Sequence, residues 1–386
     1  MTDVHEDARR TDAPMAMGDE GDLARLRRLV ADQLPGLAPR IDKEGYHPQT
    51  FLRDYGRVYG FGHAVDHDYG GQPGGLKGVI TGMEACSEHC VSTGFLVWCQ
   101  TSCAWYLQKS GNTPLKRRLL PALCSGQQAA GTGLSNLLKA RSQLEPLRLR
   151  AVAVPGGYRI HGTLPWVSNL ATGAVFAVAA ATSGGTLMAL ARVGAPGLTL
   201  RRAGPFCALE GTSTMSCRFD DVFLADSEVI APDEGFDDYF ARMRAGLILA
   251  QMGMALGLVQ GALTLIDETH SAAQPANAFI EHQPEDLRER LRALRAETLA
   301  AADGLDGGAP GRFDEILAIR ARGARLALDA AHSALLHCGA NGYLAHHPAQ
   351  RRVREAYFVA LVTPALKHLT REIALAKSGG DPLPAA

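Results

Sequence analysis

A chain of 386 residues that is 46% hydrophobic has enough apolar material for two or three separately packed domains. A formal net charge of -1 gives no electrostatic case for nucleic acid, and eight cysteines in a chain this long do not make a disulfide scaffold. The first twenty residues are polar and mixed in charge (Asp3, Glu6, Asp7, Arg9, Arg10, Asp12) and lack the apolar core of a signal peptide, so a disordered start over 1–20 and a cytoplasmic protein are expected.

Apolar residues at helical spacing over 23–37, with an Arg-rich outer face, predict a helix that Pro35 and Pro39 interrupt. A second short helix is expected over 50–59. His67-Asp68-Tyr69-Gly70-Gly71-Gln72-Pro73-Gly74-Gly75-Leu76 is a loop set by its glycines and proline. Residues 77–108 read as two largely buried helices. Within them Cys86, His89, Cys90, Cys99 and Cys103 invite a test as a metal site, because two cysteine pairs sit at i,i+4. No CxxC pair is present, and Phe95, Leu96, Val97 and Trp98 belong to buried helix, so small buried thiols and no metal are expected. Gly111-Asn112-Thr113-Pro114 is a turn, 115–123 a short basic helix, and Ser125-Gly126 its end.

From 127 to 232 the period changes. Runs rich in Val, Ala, Thr and Leu at 148–154, 158–168, 174–182, 186–193, 198–202 and 214–224 alternate with Gly/Pro turns and suggest a small antiparallel barrel or sandwich. After 233 the pattern is helical again. Leu247, Met254, Leu258 and Leu265 lie in an apolar run about long enough to raise the question of a membrane span. Gln251, Gln260 and the glycines at 246, 253, 257 and 261 point instead to a buried helix of a soluble bundle, with no membrane. Leu287, Leu291, Leu294 and Leu299 stripe the next helix, with Arg288, Arg290, Arg292 and Arg295 outside. Residues 313–336 and 353–374 complete a set of four. The expected domains are a helical 21–126, a β domain 127–232, a helical bundle 233–376 and a frayed tail 377–386: a mostly α chain with a central β domain.

The stretch with most chemical content is Gly157-Tyr158-Arg159-Ile160-His161-Gly162-Thr163-Leu164-Pro165-Trp166-Val167-Ser168-Asn169. It reads as β structure, with Tyr158 and Ile160 alternating with polar residues and Trp166-Val167 as a second β-forming run. A Trp beside a Ser and an Asn offers a flat apolar face next to small hydrogen-bonding groups, which suits a flat heteroaromatic ligand. The same residues also suit a core Trp followed by a turn.

This segment resembles the flavin-contacting strand of the acyl-CoA dehydrogenase family, a Gly-x-x-x-(Trp/Phe)-(Ile/Val)-(Ser/Thr)-Asn run. Other motifs resemble that family in the same order: Tyr69-Gly70-Gly71, Gly111, Lys116, Leu120-Pro121-Ala122-Leu123-Cys124-Ser125-Gly126, and Ser216-Cys217-Arg218-Phe219-Asp220-Asp221-Val222-Phe223-Leu224, with Ala225 where a Pro is usual. The resemblance implies an N-terminal helical domain, a small antiparallel β barrel, a C-terminal four-helix bundle, FAD as cofactor and a homodimer or homotetramer. It places Gly131-Thr132-Gly133-Leu134-Ser135-Asn136 at the strand that meets the flavin pyrimidine edge and phosphates. There only Thr132 matches well, since the family writes Thr-Glu-Pro. It implies cofactor contacts for Thr132, Leu134, Ser135, Trp166, Val167 and Ser168, with the Ser168 hydroxyl reaching flavin N5. It implies further contacts, to a neighbouring subunit's cofactor, from the Gly339-Ala340-Asn341-Gly342-Tyr343 turn, and a flavin contact for Gln283 of Glu281-His282-Gln283. Arg351-Arg352-Val353-Arg354-Glu355-Ala356 resembles the family's Glu-Arg-x-x-Arg-Asp-Ala.

The departures bear on mechanism. Family dehydrogenases use a Glu to remove a proton alpha to a thioester carbonyl, and burial of that Glu raises its pKa towards neutrality. Thr363, followed by Pro364, stands at the usual position. Met243, before Arg244, stands at the alternative one, and Arg244 itself is an implied substrate contact. The Arg-x-x-Phe-Gly clamp is replaced by 271–276. Three readings follow. The chain is an oxidoreductase on an acyl thioester, CoA- or carrier-bound, with a base from elsewhere (Glu84, Glu88 or His89) and an electron-transferring flavoprotein as partner. Or it is a monooxygenase on the same fold, fed by a flavin reductase and needing no Glu; Thr363-Pro364-Ala365-Leu366-Lys367 and Arg371-Glu372-Ile373 resemble that group's C-terminal helix, with Val362 where a His is frequent. Or it is a non-catalytic binding member.

Overall fold

A computed structural model describes residues 21–270, 275–308 and 313–378. The expected disordered start over 1–20, most of the 377–386 tail and most of the 271–276 segment lie outside these residues.

The chain opens on α1 (Asp22–Lys43), which runs straight through Pro35 and Pro39, where an interruption was expected. Both prolines are exposed, so each ring points to water and the carbonyl it leaves unbonded is solvated. The opposite stripe of Leu26, Val30, Leu34, Ala38 and Ile41 is almost wholly buried and holds the helix together. Then come α2 (Gln49–Arg57), α3 (Gly75–His89), α4 (Val91–Lys109) and α5 (Thr113–Cys124). Residues 91–107 of α4 are all buried, including the free thiols Cys99 and Cys103, so this helix is the axle of the N-terminal domain.

The β domain contains β1 (Ala130–Thr132), α6 (Ser135–Arg141), β2 (Leu149–Val154), β3 (Gly157–Val167), β4 (Val175–Ala181), β5 (Thr186–Arg192), β6 (Leu198–Arg202), β7 (Met215–Ala225) and β8 (Val229–Ala231). The sheet order is β6-β7-β3-β2-β4-β5-β8, with β1 paired to β4 off that path. It is mixed rather than wholly antiparallel: β1 pairs with β4 in parallel, and so does β2 through Arg150 and Ala181. Ser135 and Asn136, expected in the strand, instead open the short helix α6 between β1 and β2. Ile160, Leu164, Val167, Phe176, Cys217, Phe219 and Val222 form the core of this domain.

The C-terminal domain is α7 (Phe236–Ala250), α8 (Met252–His270), α9 (Pro284–Asp306), α10 (Phe313–His337), α11 (Gly339–Gly342), α12 (Pro348–Leu361) and α13 (Leu366–Lys377). The apolar run 236–269 has a mean hydropathy of 1.6 over its best window, and 94% of that window is buried inside the protein, so it is a core element. The α8 glycines explain how: a Cβ on Gly257 would sit 2.2 Å from the Glu84 carbonyl oxygen, and one on Gly261 2.2 Å from that of Glu88. Only glycine lets α3 and α8 touch backbone to backbone there. The expected helix over 353–374 is two helices: the backbone turns extended at Val362 (ψ 136°), and the chain becomes helical again at Leu366, past Pro364.

Buried charge ties the domains together. Arg352 donates to the Ser87 carbonyl and Glu355 (3.3 Å to Oε2), and contacts the Glu88 carbonyl, while Glu355 Oε1 accepts from the Val91 amide at 3.0 Å. One pair thus caps the end of α3 and the start of α4. Arg354 makes a two-pronged bond with Asp42 at 2.7 Å on each arm, fastening α12 to α1. At the other edge His368 on α13 meets Ser142, just past α6, at 2.7 Å.

Burial, then Arg371 and Lys139, lower the His368 pKa from 6.5 to about 4, while the nearby Glu372 carboxylate is held by Arg371 at 2.5 Å. The folded chain keeps this imidazole neutral, whereas the unfolded chain takes up a proton below its ordinary pKa. Its contribution to stability is therefore complete above pH 6.5 and is lost as pH falls towards 4, about 3 kcal/mol in all. Unfolding midpoints measured from pH 7 to 4.5 should fall less steeply for His368→Gln than for the natural chain; equal slopes would contradict this.

Candidate functional site

The β domain and α4 together build one chemically distinctive wall. Thr132 at the end of β1 bridges Ser168, just past β3, in antiparallel register, so their side chains share a face. Trp166, two residues before Ser168, stands outward and is 57% exposed. Its neighbour Val167 points the other way and is fully buried in the domain core, so only its backbone belongs to the wall. Leu134 is buried at the start of α6, and Ser135 is the first residue of that helix. Behind Thr132, the Tyr106 hydroxyl of α4 lies 2.9 Å from Thr132 Oγ1, and burial raises the Tyr106 pKa so that it stays protonated.

Ser168 is backed by two hydroxyls that lie outside every motif of the chain. Ser168 Oγ lies 2.6 Å from Thr214 Oγ1, Thr214 Oγ1 lies 2.8 Å from Thr212 Oγ1, and Thr212 donates to the Leu209 carbonyl at 2.7 Å. Their only sequence signal is the hydroxyl-rich run Thr212-Ser213-Thr214, 46 residues away from Ser168. Asn169, Leu209 and Ser213 all have left-handed backbone (φ 64°, 64° and 48°), an uncommon geometry for residues with a Cβ. Asn169 uses its side chain to donate to the Ala130 carbonyl at 2.8 Å and meets His47 at 3.1 Å.

A second group of expected contacts gathers on the C-terminal domain. Gln283 caps α9 and donates to the Asn277 carbonyl at 3.0 Å and the Ile280 carbonyl at 2.5 Å. Asn277 donates to the His337 carbonyl at 3.4 Å, which brings Gln283 to the end of α10 and the exposed Gly339-Ala340 turn. Arg244 places its guanidinium 4.1 Å from the Phe313 ring centre, on the bundle. The structure therefore brings Thr132, Trp166 and Ser168 together on the β domain, and Gln283, Gly339 and Ala340 together on the bundle.

Of the positions tested for a base, Met243, Thr363 and Glu84 are engaged elsewhere. Met243 is buried, and its carbonyl accepts from the Trp105 indole at 2.9 Å. The Thr363 carbonyl accepts from Gln251 at 2.8 Å. Glu84 is bonded to Arg295 at 2.7 Å. Burial raises the Glu88 pKa and lowers that of His89, with Arg352 close to both. Cys86, Cys90, Cys99 and Cys103 are buried free thiols.

A helical first domain, a central sheet bearing an aromatic-hydroxyl wall and a helical last domain make up the described chain. Residues 23–127 match the model of the acyl-CoA dehydrogenase N-terminal domain, and residues 236–362 match that of the C-terminal domain. The chain belongs to the acyl-CoA dehydrogenase family. It is 25% identical over 352 residues to the mitochondrial isovaleryl-CoA dehydrogenase of Solanum tuberosum, covering 86% of this chain and 83% of that protein. Among solved structures it resembles butyryl-CoA dehydrogenase from Megasphaera elsdenii, with a TM-score of 0.84, 18% identity and coverage of 94% and 100% of the two chains. It also resembles a dibenzothiophene monooxygenase from a Paenibacillus species, with a TM-score of 0.81, 17% identity and coverage of 94% and 99%. The likeness to these structures is one of fold.

Proposed function

We propose that this chain is an FAD-dependent oxidoreductase acting on an acyl thioester, bound to coenzyme A or to a carrier protein. The observation that carries the reading is the open Trp166 indole beside the Thr132 and Ser168 hydroxyls: a large apolar face left uncovered by the chain's own residues, edged by small polar groups. That donor set fits a flavin, whose ring stacks on one and bonds to the others. Held there, FAD would supply the redox chemistry; the chain's own residues bind the ring, orient it and exclude water. Trp166 covers a ring face, and Ser168 and Thr132 fix its edge. Leu134 and Ser135 line the adjoining turn.

Gln283, Gly339 and Ala340 fit as contacts to the cofactor of a second copy. The bundle surface around them supports this, with Phe279, Leu336, Tyr343, Leu344, Tyr357 and Leu361 exposed. Sedimentation of the FAD-loaded chain should give a dimer or tetramer, and a monomer at micromolar concentration would count against it.

A second reading, a monooxygenase using reduced flavin and oxygen, is favoured by Thr363 and Met243. Neither side chain is a base, and the backbone carbonyl of each accepts a side-chain hydrogen bond, from Gln251 and Trp105 respectively. An electron-transferring flavoprotein would serve the first reading, and a flavin reductase the second. Anaerobic mixing of the FAD-loaded chain with a panel of acyl-CoA thioesters separates them. Bleaching of the flavin band by a thioester is the expected result. Oxygen consumption coupled to substrate conversion, seen only after chemical reduction, would establish the second reading. A chain that holds flavin and does neither is a binding member, and both readings fall.

A further inference from the structure

The hydroxyl chain behind the wall has a direction. The Leu209 carbonyl at its far end can only accept, so Thr212, at 2.7 Å, gives its single proton there. Thr212 Oγ1 can then only accept from Thr214 at 2.8 Å, which commits the Thr214 proton. The 2.6 Å contact between Ser168 and Thr214 is then a hydrogen bond only if Ser168 is the donor. Water has little access to the two ends of the chain, because Ser168 is 7% exposed and Thr212 1%, with Thr214 half-buried between them. The backbone holds this arrangement: the Asn169 amide donates to the Thr212 carbonyl at 2.9 Å and the Leu170 amide to the Ser213 carbonyl at 3.4 Å, across the left-handed residues Asn169, Leu209 and Ser213. Ser168 therefore meets whatever lies on the wall with lone pairs only.

We propose that the Ser168–Thr214–Thr212 chain makes the site selective for reduced flavin. The inference rests on the reading that a flavin ring edge faces Ser168. That reading, following the family resemblance, puts N5 at Ser168, and N5 carries a hydrogen when the flavin is reduced and only a lone pair when it is oxidised. An acceptor-only hydroxyl bonds to the first and repels the second. Ser168 touches the cofactor; Thr214 and Thr212 are positioning residues that decide which way its proton points. In this chain the wall would raise the potential of the bound flavin, or favour its delivery in reduced form.

The test is the dissociation constant of FAD, oxidised and dithionite-reduced, under anaerobic conditions, with the midpoint potential of the bound FAD as a second readout. The natural chain should bind reduced FAD about tenfold more tightly than oxidised FAD. That ratio corresponds to a midpoint raised by about 30 mV over free FAD. Thr214→Val frees the Ser168 proton to turn towards the oxidised ring and should abolish most of that ratio, and Thr214→Ser should restore it. Thr212→Val, which breaks the chain one link further back, should act in the same direction and serves if Thr214→Val fails to fold. If Ser168→Ala changes the binding of either form while Thr214→Val and Thr212→Val leave the ratio unchanged, the directed chain is refuted and the flavin reading survives. If Ser168→Ala changes neither constant, Ser168 does not face the ring, and the reading and the inference fall together.

Discussion

Trp166→Ala should lower the affinity of the chain for FAD by about 30- to 150-fold, corresponding to about 2–3 kcal/mol for the lost aromatic face. Trp166 is 57% exposed although every other residue of its strand with a large apolar side chain points inward or is partly covered, so little of its surface is used in folding. Removing it should leave the unfolding midpoint almost unchanged while removing a stacking surface. Trp166→Phe keeps a ring in the same place and should stay within about fivefold of the natural chain. Quenching of flavin fluorescence on titration reads both variants. An affinity for Trp166→Ala equal to that of the natural chain would mean that the indole faces something other than the cofactor.

The second large effect is on stability. Glu355→Ala should cost about 3–5 kcal/mol in denaturant unfolding, because it leaves the guanidinium of Arg352 buried without its carboxylate and removes the acceptor of the Val91 amide. Arg352 and Glu355 are 6% and 1% exposed, so solvent cannot take over either role. The loss should be smaller for Glu355→Gln, which still accepts from Val91. Replacing both partners with apolar residues, as Arg352→Met with Glu355→Leu, should recover part of the loss, since no charge is then stranded. A loss below about 1 kcal/mol for Glu355→Ala would show that the pair does not join α12 to the junction of α3 and α4 energetically.

What could be read in advance followed from local pattern. Helical spacing marked α1, α8 and α9, apolar content marked α3 and α4 as buried helices, and turn-bounded runs of β formers marked the six longer strands. The departures came from packing. Pro35 and Pro39 are tolerated in α1 because both face water, a property the residue type does not reveal. The three-residue β1 is too short to show a period, and its parallel pairing with β4 joins segments 45 residues apart. At the site, the motif around Trp166 was legible because its residues are adjacent. Thr212, Thr214 and Tyr106 were not, since only the fold carries them to Ser168 and Thr132. Val167 shows the reverse case: it lies inside the motif, but strand alternation turns its side chain into the core.

Whether the Trp166 wall is a flavin site is decided by the visible absorption spectrum of the purified chain after addition of excess FAD and desalting. A retained flavin band with a shifted, structured maximum, lost in Trp166→Ala, is the predicted result. A colourless natural chain after the same treatment would contradict it.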